Sequence, residues 1–142
     1  MSSLEVRQAL NAAVASLAAP WQVFDMSEYH DLDEILTTNK AEVVLVQYVI
    51  AGDDMQTIGG DGNQGWEETG SVTLMMAVPT GFASESVVQK GDTIRKGLRG
   101  RRISGDTLVE SCTPFVDFGA GGVNGAVHLW ASNLYYSRRD CG

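Results

Sequence analysis

Two apolar stretches, Glu42–Ile50 (EVVLVQYVI) and Ser71–Val78 (SVTLMMAV), decide the fold of this chain. The first is a nearly unbroken run rich in valine, which is typical of a strongly buried β-strand. In the second, apolar residues alternate onto one face, as they do in a half-buried strand. A polar, glycine-rich stretch, Ala51–Gly70, lies between them. The sequence therefore predicts a long antiparallel β-hairpin with its tip at Gly59–Gly65.

Two amphipathic helices are predicted around this hairpin, at residues 3–18 and 84–98. Both show apolar residues at i, i+4, i+7 and i+11, which places one stripe along a helix of 3.6 residues per turn. The stripes are Val6, Leu10, Ala13 and Leu17 in the first helix, and Val87, Gly91, Ile94 and Leu98 in the second. Pro20 ends the first helix, and Gly100 is a plausible stop for the second.

Shorter apolar segments predict three more strands, at residues 21–26, 107–116 and 125–136. The order of elements is then α-β-β-β-α-β-β, with neither an internal repeat nor a linker. We expect a single α+β domain over residues 1–142, with an antiparallel or mixed β-sheet of about 4–5 strands. Two helices pack on one face of this sheet, and the long β-hairpin belongs to it.

The charge of the chain is unevenly distributed. Its 142 residues carry 10 basic and 18 acidic side chains, a net charge of −8. Twelve of the acids lie in Met1–Gly70, whereas Lys90–Arg102 holds six bases and one acid. This balance argues against a freestanding nucleic-acid binder, because such proteins neutralise phosphates with lysine and arginine. The basic segment is a solvated helix end, a contact for the acidic surface of a neighbouring copy, or a positively charged rim near passing DNA.

The second interpretation names eight candidate residues at an interface with another subunit or partner. They are Lys96, Arg99, Arg101 and Arg102 on the basic side, with Asp53, Asp54, Asp61 and Trp66 on the hairpin.

No motif for catalysis, cofactor binding or metal binding is found in the sequence. The two histidines, His30 and His128, fall on different predicted elements without metal-ligand spacing. The glycine-rich stretch lacks the phosphate-binding G-x-x-x-x-G-K-[ST] pattern, and G-x-S-x-G is absent. We therefore expect no cofactor and a protein that is not an enzyme. Cys112 and Cys141 are expected to be free thiols, and we expect no leader or membrane span.

Several local stretches, in this order along the chain, resemble a known family. They are Gly65–Leu74 (GWEETGSVTL), Val78–Gly81 (VPTG), Asp92–Arg95 (DTIR), Leu98–Gly100 (LRG), Gly125–Trp130 (GAVHLW) and the pair Tyr135 and Tyr136. Together they resemble the tail terminator proteins, also called tail completion proteins (lambda gpU-like), of long-tailed bacteriophages and gene transfer agents. The resemblance covers nearly the whole chain, apart from Ala51–Gly62 and the last six residues.

This resemblance implies a structural virion protein. Members of the family form six-fold rings that cap the head-proximal end of the tail tube, end its polymerisation and join the tail to the head connector. The implied partners are further copies of the chain, the tail tube protein and a neck protein, with DNA passing through the lumen and no membrane. The implied location is the tail–neck junction of a particle assembled in the bacterial cytoplasm.

Other functions stay open at this point. A different neck or tail component, such as a head–tail connector or a tail-tube subunit, shares α+β elements and ring symmetry. A cytosolic binding module or small enzyme that uses the groove beside the glycine-rich stretch is the alternative from another class.

Overall fold

The computed structural model describes residues 4–19, 21–26, 43–57, 65–79, 84–104, 107–121 and 127–141. Two helices and six strands lie in this part of the chain. In chain order they are α1 (Leu4–Ala18), β1 (Gln22–Asp25), β2 (Val43–Thr57), β3 (Gly65–Pro79), α2 (Ser84–Leu98), β4 (Thr107–Cys112), β5 (Val116–Gly121) and β6 (Val127–Cys141). The α+β class and both helices are confirmed.

The strands form one open, mixed sheet in the order β1-β2-β3-β6-β4. β5 also pairs with β6, on the same side as β4 but over a different part of the strand. Only β1 and β2 run parallel. Every other pairing is antiparallel, and β3 and β6 stay in register over their full length, from Gly65 opposite Cys141 to Pro79 opposite Val127. The long hairpin is therefore confirmed as β2–β3, with β6 as its third strand.

Both helices pack on the same face of the sheet. The main core joins the buried stripe of α1, that of α2 and the even-numbered residues of β3 from Val72 to Val78. In α2 the predicted stripe is buried at all four positions. In α1 the fully buried residues are Val6, Leu10, Val14 and Ala18, so the stripe runs at i+4 steps, and Ala13 and Leu17 lie at its half-buried margin.

A smaller cluster covers the opposite face near β1. Val43, Leu45 and Ala77 are buried there, with Leu129 packed against them. Valine at successive positions of β2 is thus buried on both faces, as the unbroken apolar run predicts. Beyond this cluster no element in the described part of the chain covers the face opposite the helices, and we call it the open face.

Three sequence-based boundaries are wrong. The sheet has six strands, because the predicted strand 107–116 ends at Cys112 and a separate strand follows at Val116. Pro114, which has no N–H for a ladder, lies in the break. The stretch Ala51–Gly70 is largely strand, since β2 reaches Thr57 and β3 begins at Gly65.

The third boundary is the end of β6, which runs to Cys141 instead of Tyr136. β3 gives it a pairing partner over that whole extension. Gly70 is buried opposite Tyr136, itself only 1% exposed, so a large ring lies beside a residue that carries no side chain. The predicted hairpin tip is outside the described residues, apart from Gly65.

Candidate subunit interface

Asp53 and Asp54 of β2 lie at the opposite edge of the sheet from the basic residues that follow α2. One row of the register runs from Gly52 through Thr69 and Ser137 to Leu108, and Leu108 bridges Arg102. Neighbouring strands are about 4.8 Å apart, so Arg102 and Gly52 are separated by about 19 Å across the sheet. Asp53 and Asp54 follow Gly52 in β2.

The acidic segment is the end of the three long strands that contains residues 52–57, 65–70 and 136–141. We call it the distal end. It carries five acids and two arginines. In the register Asp53 lies opposite Glu68, and Asp54 lies opposite Glu67. The segment is therefore acidic across adjacent strands.

The carboxylates of the distal end differ in their surroundings. Glu68 is 8% exposed, and the Tyr136 hydroxyl donates to its Oε2 at 2.7 Å. Glu67 faces the open side, 3.9 Å from Nε of Arg139. Arg139 is 84% exposed, so this pair is solvated and contributes little to stability. Glu67 and Arg139 are thus available for contacts with another molecule.

The basic segment, Lys96–Arg102, ends α2 and then follows the outer edge of β4. We call it the basic turn. Gly100 has φ of +67°, the left-handed conformation common at helix C-termini. The Arg101 carbonyl accepts from the Val109 amide at 2.9 Å. This bond holds Arg101 and Arg102 outside β4, where both are exposed.

Three cations of the segment Lys90–Arg102 donate hydrogen bonds within the molecule, and one of them is Arg101, whose Nη1 donates to the carbonyl of Gly97 at 3.3 Å. Arg95 Nε donates to the carbonyl of Cys112 at 3.1 Å, and Lys90 Nζ donates to the carbonyl of Ala19 at 2.9 Å. Lys90 Nζ also lies 5.9 Å from the ring centroid of Trp21. Lys96 and Arg99 remain exposed at the end of α2.

A cleft of about 470 Å³ lies on the open face between the basic turn and the distal end. Arg102 and Arg139 contribute positive charge, and Glu67 and Glu110 negative charge. Sequence reasoning missed Glu67, Glu110 and Arg139 as members of this surface. These three residues lie on three different strands. The sequence shows that they share a face only once the register between those strands is known.

A second concavity, of about 210 Å³, lies between the C-terminal halves of the two helices, and we call it the helix pocket. Ala13, Leu17 and Ile103 give it an apolar floor, and Arg101 and Arg102 line its rim. The absence of a side chain at Gly97 lets the helices approach closely here. A Cβ at this position would lie 2.5 Å from Cδ2 of Leu17. The basic turn therefore borders an apolar cavity as well as the open-face cleft.

The predicted interface residues are placed as follows. Lys96, Arg99, Arg101 and Arg102 lie in the basic turn, and Asp53, Asp54 and Trp66 lie in the distal end. Asp53 and Asp54 lie on β2, at the edge opposite the basic turn, whereas Trp66 lies on β3 between β2 and β6. Asp61 lies outside the described residues. That these residues form an interface stays a prediction.

A polar network beneath α1 joins that helix to β1 and β2. Asp25 Oδ2 accepts from Arg7 Nη2 and from Asn11 Nδ2, each at 3.0 Å. The Tyr48 hydroxyl donates to Asn11 Oδ1 at 2.8 Å. Burial, and next the Asp25 carboxylate, raise the pKa of Tyr48 well above its usual range, so the hydroxyl keeps its proton. This network holds the helix on the sheet.

Two smaller polar contacts lie near β5. Asp117 Oδ1 accepts from the Gly119 amide and contacts Nε2 of His128. The amide, and next the histidine contact, hold the pKa of the Asp117 carboxyl below its usual value. Cys112 is a buried free thiol 3.5 Å from the Ser132 hydroxyl, and burial raises its pKa.

Within the described ranges, no group of three or more histidine, cysteine, aspartate or glutamate side chains is placed to hold a metal ion. None of the helices in that part of the chain is long and apolar enough to cross a membrane.

Comparison with known proteins supports the fold. No protein-family model matches the chain, and no curated protein matches it in sequence. Among solved structures, 28 chains match it. One of them has a TM-score of 0.61 at 16% identity, covering 97% of this chain and 96% of its own. Its name states neither an activity nor a partner, and at this identity the likeness shows a shared fold alone.

Proposed function

We propose that this chain is a tail terminator-like subunit of a phage or gene transfer agent. Copies of it form a ring, by family resemblance a hexamer, that caps the head-proximal end of the tail tube. The ring ends tube polymerisation and joins the tail to a neck protein at the tail–neck junction. Its action depends on shape and surface charge, without catalysis.

The observation that carries this proposal is the position of Asp53 and Asp54 at the β2 edge of the sheet, across the sheet from the basic turn at the β4 edge. A contact between two different surfaces of identical subunits is heterologous, and it closes into a ring when the rotation between neighbours permits. Complementary charge on those two surfaces sets the register and excludes wrong partners. The β2 edge that carries Asp53 and Asp54 and the basic turn are two such surfaces.

The overall charge supports the passage of DNA through the ring. A protein with net charge −8 lacks the excess of cations that grips phosphates. The nucleic acid would slide through the lumen without sequence-specific binding.

The test is to remove the gene from a particle that carries it and to image the products. We expect tails of uncontrolled length that fail to join heads, and rescue by the wild-type chain supplied in trans. A tagged copy should appear as one ring at the head-proximal tail end. A tag distributed along the tube would identify a tube subunit, and normal tails without the protein would contradict the proposal.

A further inference from the structure

The sheet edge formed by β4 and β5 is covered along β4 and open along β5. Beside β4, the Ile103 amide donates to the carbonyl of Thr107 at 3.0 Å, and the Val109 amide donates to the carbonyl of Arg101 at 2.9 Å. β5 pairs with β6 on one side, and no described strand pairs with its other side. Strand edges with unpaired N–H and C=O groups are templates for strands of another chain.

The opposite edge of the sheet is open over most of β2. β1 pairs with β2 only from Val43 to Val46, and in the described part of the chain no strand lies on that side of β2 from Gln47 to Thr57. The first six of these residues, Gln47–Gly52 (QYVIAG), carry no charge. They therefore lack the charged side chains with which proteins discourage edge-to-edge pairing.

The two open edges match in length and both expose apolar side chains. Val49 of β2 is 53% exposed, and Val116 and Phe118 of β5 are 58% and 71% exposed. The register shifts beside Val49 and at Phe118, so each edge contains one bulge. Gln47–Gly52 and Val116–Gly121 are therefore both six residues long and both span five rows of the sheet.

The directions of the strands allow these edges to pair between copies. β2, β3, β6 and β5 are each antiparallel to the next, so β5 of one copy runs antiparallel to β2 of the next copy without inverting either molecule. Val116 is level with Met75 of β3, and Gly52 is level with Thr69. Placing Val116 opposite the next copy's Gly52 thus shifts that copy by about 20 Å along the strands and about 19 Å across them. The corresponding strand tilt of about 45° lies in the range of closed β-barrels.

We propose that the open edge of β2 in one copy pairs antiparallel with the outer edge of β5 in the next copy, so that the sheet continues from subunit to subunit. Gln47–Gly52 lies beside Val116–Gly121, with Gly52 opposite Val116. Backbone hydrogen bonds and the burial of Val49, Val116 and Phe118 hold the contact. The inference rests on the self-association in the proposed function and names the contact that produces it.

A proline in the open edge of β2 tests the backbone pairing. The Val46 carbonyl points to this side, where it accepts from the Met26 amide at 2.8 Å. Backbone polar groups alternate between the two sides of a strand, and the shift beside Val49 offsets the alternation by one residue, so the Ala51 amide also points to the open side. Ala51→Pro removes this donor and leaves the ladder with β3 intact.

Ala51→Pro should weaken self-association by about 10-fold or more, because each contact loses a hydrogen bond and leaves an acceptor of β5 unpaired. Ala51→Val keeps the amide and is the matched control, which should assemble like the wild type. Sedimentation measures the association constants, and the melting temperature of each variant reports its folding.

Engineered cysteines test the register of the contact. A Cβ on Gly52 would meet no atom within 4 Å, and Val116 is exposed, so both positions accept a cysteine. Residues directly opposite each other on paired strands have Cβ atoms about 4.5–5.5 Å apart, close to the span of a disulfide. In a Cys141→Ser background, Gly52→Cys chains mixed with tagged Val116→Cys chains should form a mixed disulfide dimer on mild oxidation. Val88→Cys, at an exposed position of α2, replaces Val116→Cys in the control and should not cross-link.

The outcomes separate this inference from the proposed function. Normal assembly of folded Ala51→Pro, or cross-linking no stronger than that of the Val88→Cys control, would overturn the edge pairing and leave the ring proposal standing. If Ala51→Pro does not fold, the cross-linking result decides. Mixed disulfide dimers of a protein that is absent from tail ends in particles would support the pairing and overturn the tail function. A wild-type chain that stays monomeric at high concentration would overturn both.

Discussion

At the scale of single residues, Asp25 is a carboxylate with little access to solvent. Its side chain is 6% exposed and accepts from both Arg7 and Asn11. A buried carboxylate loses its hydration, and two donors on α1 compensate for that loss. Asp25 therefore connects the first helix to the edge of the sheet through charge as well as through packing.

Asp25→Asn should lower the free energy of unfolding by about 3–5 kcal/mol, because it leaves the half-buried Arg7 guanidinium without a counter-charge. Glu110→Gln, at an exposed position, is the control and should change it by less than about 0.5 kcal/mol. Urea unfolding of both variants measures the difference. Equal stability of the two would show that the Arg7–Asp25 pair does not hold α1.

Asp117 gives a prediction about pH. Its pKa is lowered from the ordinary value of 3.8, first by the Gly119 amide and then by His128. The stabilisation from its ionised form is present above about pH 4 and is lost as the pH falls through the lowered pKa. Asp117→Asn should be less stable than the wild type at neutral pH, and the gap should close in acid. A gap that persists below the lowered pKa would contradict this assignment.

At the scale of elements, α2 depends on two glycines where it meets its neighbours. A Cβ on Gly91 would lie 2.9 Å from Cδ2 of Phe115 and 3.0 Å from Cε of Met76. A Cβ on Gly97 would lie still closer to its neighbour, 2.5 Å from Cδ2 of Leu17 in α1. The helix thus approaches both the sheet and α1 at positions that have no room for a side chain.

Gly91→Val should lower the free energy of unfolding by about 1–3 kcal/mol, because the new methyl groups overpack the contact with Phe115. Gln89→Val introduces the same β-branched side chain at an exposed position of α2 and serves as the control. Thermal unfolding of the two variants compares them. A loss no larger than that of the control would mean that Phe115 moves aside freely.

The sequence predicted the elements of the fold better than their ends. Periodicity located both helices and the hairpin, since the spacing of Val87, Gly91, Ile94 and Leu98 depends only on local geometry. The extension of β2 and β3 into the glycine-rich stretch was missed because β6, about 70 residues later, supplies the pairing partner. For the candidate site, the sequence identified the charged segments, and only the register shows that Asp53 and Asp54 lie at the edge opposite the basic turn.

At the scale of the whole molecule, the separation of charge makes assembly sensitive to salt. Screening shortens the Debye length from about 10 Å at 0.1 M to about 3 Å at 1 M ionic strength. If acids of the distal end contact the basic turn of a neighbour, the ring should need a higher protein concentration to stay assembled in 1 M salt. The double variant Asp53→Asn, Asp54→Asn should show a weaker salt dependence. An association constant that does not change with salt would exclude these charges from the contact.

The uninterrupted pairing of β3 with β6, from Gly65 opposite Cys141 to Pro79 opposite Val127, has a mechanical consequence. Pulling these two strands apart along their length loads every ladder hydrogen bond at once, whereas peeling them from one end breaks the bonds in succession. Tension applied to β3 at the distal end, with β6 held at its opposite end near Val127, therefore loads the ladder in shear.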